Sequence, residues 1–323
     1  MASLGNWTFS PYPPFPATVF PNIALWNATS VAANMTYQIQ LSWPFEWGTS
    51  HDTSAITNKT ALTMYVVDGN AMGTTASEAF KRRQPVAFGQ PDAVVVSVGY
   101  PLTDHVYSFA HRFVDLTPPN FNGSEGLPVR TGADDFLDFI HGALRPWVRE
   151  TVFPGVDFTR DALFGHSHGG LFVVYAMIND PSMFDTYLSA SPALVIQNAS
   201  ILAEVTKRFG GMPAAAGSEG QQQAIPAAAD NGTTTLNKPA LFITYGNLEQ
   251  FPARRRTETE EHFQMRRDYF KPLRMTEFCH DLYDRVVASG RARDVKIKEY
   301  DEQDHAGVAA SAITDGIDYF VDW

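Results

Sequence analysis

The chain has 323 residues, 44% of them hydrophobic and 18% charged, a balance that allows a buried core and excludes a fibrous or wholly disordered protein. Its 24 Lys plus Arg against 35 Asp plus Glu give a formal charge of −11, which opposes attraction to phosphate backbones or anionic lipid and argues against nucleic acid as a partner. One cysteine, Cys279, excludes an internal disulfide, and no apolar run reaches the ~18 to 20 residues of a membrane span.

The opening "MASLGNWTFSPYPPFP" lacks a basic start followed by an apolar stretch, which reads as a cytoplasmic chain. Asn-x-Ser/Thr patterns at Asn6, Asn27, Asn34, Asn58, Asn122, Asn198 and Asn231 pull the other way and leave a secreted form open. "MTYQIQLSWP" (35–44) has the period-2 alternation of a strand near a sheet edge, stopped by Pro44. Apolar, β-rich runs then recur as "ALTMYVVDG" (61–69), "AVVVSVGY" (93–100), "DALFG" (161–165), "TYLSASP" (186–192), "ALFITYG" (240–246) and "VKIKEY" (295–300). Several are continuously apolar, as strands covered on both faces are.

Helical patterns lie between them. In "GADDFLDFIHGALRPWVRE" the residues Phe136, Phe139, Ile140, Leu144 and Trp147 fall on one face, with Asp134 and Asp135 suited to the first turn. "TEFCHDLYDRVV" places Cys279 on such a face, where a thiol is core rather than nucleophile. The basic runs "KRRQ" at 81 and "RRR" at 254 lack interleaved aromatics and read as solvated faces. Alternating strands and helices imply an α/β fold, a mostly parallel sheet in a single domain over 1–323, whose ligands bind beyond the carboxyl ends of the strands. Residues 210–237, poor in large apolar side chains, read as a mobile surface insertion within that domain.

"LFGHSHGGLFVVYAM" (163–177) places Ser167 in a G-x-S-x-G turn between a strand and a helix, the context of a nucleophile elbow. The strained turn lifts the hydroxyl to the strand tip beside the N–H groups that open the helix, and the N–H of His168 becomes one oxyanion donor. Taken alone the five-residue pattern is weak; its flanking strand and helix give it weight. The serine needs a base, and in this architecture the order is Ser, then Asp or Glu, then His. Downstream stand His262, His280 and His305; the first two lie in charged, helix-like segments. His305, in "EYDEQDHAGV" after the last strand, is the base. The acid follows "ALFITYG", which selects Glu249, with Asp301, Asp304 and Asp68 as rivals. His166 reads as a packed neighbour of the serine.

The second oxyanion donor belongs to a loop after an early strand. "VVDGNAMG" supplies the small residues, with the N–H of Asn70 facing the oxyanion, Asp68 pinning the loop, and Gly69 and Arg112 as candidate substrate contacts. No histidine pair here completes a metal set, so neither metal nor cofactor is assigned.

"MYVVDGNAMG", "VVVSVGYP", "HRFVDLTPP", "LFGHSHGGLFVVYAM", "LSASPAL", "YGNLE" and "DHAG" resemble, in this order, the esterase family that includes enterobactin, salmochelin and bacillibactin esterases and the fungal siderophore esterases. The blocks span 61–307. The resemblance implies an α/β-hydrolase fold without a metal cofactor, an ester-bearing ferric siderophore as the small-molecule substrate, and intracellular iron release. It carries nucleophile, base and acid to Ser167, His305 and Glu249, although some members look like Ser-His dyads. His168 departs from the aromatic or aliphatic residue usual there. The negative charge of the chain favours a neutral hydroxamate of the fusarinine type over a trianionic catecholate.

Overall fold

The computed structural model describes residues 5–11, 22–48, 52–101, 105–121, 131–209 and 238–322. Three strands, β1 (Trp7–Pro11), β2 (Ile23–Ser30) and β3 (Met35–Ser42), form an antiparallel meander. Then β4 (Thr57–Val67), β5 (Ala93–Gly99), β6 (Gly155–His166), β7 (Thr186–Ala190), β8 (Ala240–Gly246) and β9 (Asp294–Tyr300) run parallel, in the sheet order β1-β2-β3-β5-β4-β6-β7-β8-β9. Every residue of β5, β7 and β8 is buried, which is why these strands are legible as unbroken apolar runs.

Helices close both faces: α1 (Gly69–Arg83), α2 (Phe109–Asp115), α3 (Ala133–Phe139), α4 (His168–Asn179), α5 (Ser200–Phe209), the single turn α6 (Asn247–Gln250), α7 (Glu260–Phe270), α8 (Met275–Ser289) and α9 (His305–Val321). The pleat of β4 divides the core. Leu62, Met64 and Val66 pack with Phe80 of α1 and Ile313 and Ile317 of α9, whereas Tyr65 and Val67 join the cluster of Phe136, Phe172, Val205 and Leu282 on the other face. This is the α/β-hydrolase architecture, with an antiparallel N-terminal margin.

Some expectations change. β3 is not near an edge: the hairpin partners β1 and β2 extend the sheet beyond it, and Pro44 follows the strand, so its missing N–H interrupts no ladder. The predicted helix at 132–150 starts as α3 but continues in wider π turns over 140–144 and 147–152, flanking Pro146. Its apolar face is nevertheless buried as expected. "KRRQ" is not wholly solvated, because Lys81 is 8% exposed, donates to the Trp43 carbonyl at 2.8 Å and lies over the Phe45 ring. Burial lowers its pKa to about 8. The 210–237 insertion lies outside the described residues.

Candidate active site

Ser167 sits between β6 and α4 at φ 61°, ψ −116°, a conformation that side-chain-bearing residues rarely adopt. The turn fits only because Gly165 lacks a side chain: a Cβ there would lie 2.2 Å from the Gly169 carbonyl oxygen. Backbone bonds hold the strained residue on both sides. Its N–H donates to Ala190 O at 2.9 Å, and its carbonyl accepts from Leu171 and Ala193 N–H, each at 3.0 Å.

The loops after β8 and β9 converge on this serine. His305 opens α9, with Nε2 2.9 Å from Ser167 Oγ and Nδ1 2.6 Å from Glu249 Oε2. A carboxylate can only accept, so Nδ1 carries the proton and Nε2 is left to accept from the hydroxyl. Glu249, in α6, is 3% exposed, and its other oxygen accepts from Gly246 N–H at 2.7 Å and from the Ser191 hydroxyl at 2.6 Å. The rival carboxylates have other partners. Asp304 caps α9 through Gly307 N–H and meets Arg255, Asp301 accepts from Asn247, and Asp68 pairs with Arg112. Ser191 is a residue that sequence reasoning missed: it lies in the quoted "SASP", but nothing in its type or spacing marks it.

Two helices begin side by side at the sheet's carboxyl margin, since parallel pairing sets Val66 opposite Phe164. His168 starts α4, and Asn70 lies in the first turn of α1, so the N–H groups of both belong to helix ends that leave early donors unspent. The expected loop "VVDGNAMG" is reduced to one residue, Asp68, in the left-handed region (φ 54°), and helix begins at Gly69. A Cβ on Gly69 would lie 2.8 Å from the backbone of Ser97 and Val98, so glycine there serves strand approach. The Asn70 side chain accepts from Tyr100 N–H at 2.7 Å and donates to Tyr100 O at 3.0 Å, stitching α1 to the end of β5.

Arg112, expected near substrate, is 5% exposed and committed to Asp68 through two bonds of 3.0 and 2.8 Å. Its guanidinium lies over the rings of Tyr107 and Phe113. The open surface of α2 is therefore aromatic: Phe109 and Phe113 are about half exposed, with ring centroids 5.6 Å apart, and Phe113 lies 5.0 Å from the His168 ring. His168 Nε2 meets Thr117 Oγ1 at 2.9 Å.

The histidines flanking Ser167 are buried and neutral. Burial, with the neighbouring His305 adding to it, pulls His166 down to about 3; burial, then Arg112, pulls His168 down to about 4. The His166 ring packs on that of His305 at 4.6 Å. Burial likewise pushes the Cys279 thiol well above its usual range, so it is no nucleophile. A folded-state pKa below the unfolded value of about 6.5 means that the unfolded chain takes up protons first as pH falls. Stability accordingly declines from about pH 6.5 towards pH 4, by up to about 1.4 kcal/mol per pH unit for each such histidine. His166→Phe should flatten the slope by roughly one histidine's share in urea unfolding at pH 4 to 6.5; an unchanged slope would show His166 already protonated in the fold.

Comparison with known proteins places this geometry. The family model described as "Putative esterase" matches residues 63–209. The chain is 39% identical to the siderophore enterobactin esterase of Emericella nidulans, over 97% of each chain. It is 32% identical to the siderophore triacetylfusarinine C esterase of Aspergillus fumigatus, over 89% of each. The solved structure of siderophore hydrolase EstA from Aspergillus nidulans superposes with a TM-score of 0.80 at 37% identity, covering 98% of this chain and 99% of that one. Sharing sequence at this level along nearly the whole of both chains, this protein belongs to the esterase family that contains the fungal siderophore esterases.

Proposed function

We propose that the protein is a serine esterase that hydrolyses the ester bonds of a ferric siderophore, a hydroxamate of the fusarinine type by preference, and so allows iron release. The observation that carries the reading is the hydrogen-bonded series Ser167, His305, Glu249 in a member of this family. His305 Nε2 takes the Ser167 proton as Oγ attacks the ester carbonyl, and the imidazolium is stabilised by Glu249. The N–H groups of His168 and Asn70 receive the oxyanion. Collapse expels the alcohol, protonated by His305, and leaves an acyl-Ser167; water activated by the same imidazole then releases the acid.

The preference for a hydroxamate rests on charge. Three hydroxamates neutralise ferric iron, whereas three catecholates leave a trianion. A chain of −11 repels that trianion, Arg112 is already neutralised by Asp68, and the neighbouring face offered by α2 is aromatic. The test is mass spectrometry of ferric hydroxamate and ferric catecholate siderophores incubated with the protein and with Ser167→Ala. Expected is stepwise ester cleavage of the hydroxamate, faster than of the catecholate, and none with the variant. Cleavage of small aryl esters with both siderophores left intact would reject the substrate.

A further inference from the structure

We infer that Ser191 is the positioning residue of the catalytic acid, a fourth side chain in the series that ends at Ser167; this rests on the triad reading above. Ser191 follows β7, is fully buried, and holds a left-handed backbone at φ 42°. Its N–H donates to Thr244 O at 2.7 Å, fixing the turn to β8, and its hydroxyl donates to Glu249 Oε1 at 2.6 Å. The same short turn grips the nucleophile: Ala190 O accepts from Ser167 N–H, and Ala193 N–H donates to Ser167 O. One segment thereby sets the distance between the acid and the serine, although neither is near it in sequence.

The hydroxyl does what the backbone donor alone does not. With Gly246 N–H and Ser191 both on Oε1, the carboxylate cannot turn without losing two bonds, so Oε2 stays aimed at His305 Nδ1. A serine, where glycine would relieve the backbone, fits a position kept for its hydroxyl.

The experiment compares Ser191→Ala and Ser191→Gly, each alone and with Glu249→Gln, on an aryl acetate ester. That probe keeps this test independent of which siderophore is cut; absence of any Ser167-dependent turnover would instead reject the esterase reading. Glycine suits φ 42°, so at least one variant retains the fold. Each single variant should lose about ten-fold or more in kcat, the scale of a hydrogen bond to a charged group, with KM within about two-fold of wild type. Neither change should add to the loss in Glu249→Gln. Retention of kcat within about two-fold, a loss that appears in KM rather than kcat, or losses that multiply with Glu249→Gln would overturn the assignment.

Discussion

Ser167→Ala and His305→Ala should each lower kcat on ester substrates by about 10,000- to 1,000,000-fold while leaving the far-ultraviolet circular dichroism unchanged. The two losses should be similar and should not multiply in the double variant, because the hydroxyl and imidazole 2.9 Å apart act as a single proton-transfer unit. Glu249→Gln should lie at the lower end of that range, at about 10,000-fold, since it spoils the tautomer and the stabilisation of the imidazolium but leaves the nucleophile in place. Asp301→Asn and Asp304→Asn are the controls and should stay within about three-fold, their carboxylates being held by Asn247 and by the α9 cap. Stability should run opposite to activity at the elbow. Ser167→Gly, which relieves a backbone held at φ 61°, should be inactive yet about 1 kcal/mol more stable in urea. An active His305→Ala protein would remove the base.

The second large effect concerns the buried pair of Asp68 and Arg112, whose side chains are 3% and 6% exposed. Arg112→Met strands a carboxylate beneath α2 and should destabilise the fold by about 3 to 5 kcal/mol; removing one partner of such a pair leaves an uncompensated charge. Asp68→Asn combined with Arg112→Met should recover most of that loss, because two neutral groups of similar size carry no such penalty. Urea denaturation of the two variants gives the comparison. Turnover should fall in Arg112→Met even where it is folded, since Asp68, held by Arg112, is the left-handed residue whose carbonyl accepts from Ala71 and Met72 N–H at the start of the helix that presents the Asn70 N–H. A single variant losing less than about 1 kcal/mol would mean that water reaches the pair.

Legibility followed burial. β5, β7, β8 and the buried second half of β4 (61–67) read clearly because both faces are covered and their residues are mostly apolar, whereas the exposed "TNKT" that opens β4, and β1 and β2, left no such trace. β2, "IALWNATS", is mostly half-buried and mixes Trp with Asn, a pattern shared with irregular chain. The elbow was legible because strain demands small residues at fixed offsets from Ser167. His305 and Glu249 followed from chain order and from the rule that chemistry gathers at carboxyl ends of strands, and the structure brings all three side chains together. Ser191 was not legible. Its meaning comes from the pairing of β7 with β8, which sets its turn beside Glu249, 58 residues away. The destination of Arg112 was hidden for the same reason: an arginine displays its charge in sequence but not the partner that cancels it.

The nucleophile and the base hang from very different parts of the sheet. β6 lies near its middle, paired on both sides, whereas β9 is its border strand, paired in the sheet only with β8 and displaying Lys296, Lys298 and Glu299 to solvent. Border strands open at lower free energy than central ones. The imidazole is nevertheless anchored elsewhere, because α9, which His305 opens, buries Val308, Ile313 and Ile317 in one cluster with Leu188 of β7 and Phe242 of β8. The base is thus held by its helix rather than by the border strand that precedes it.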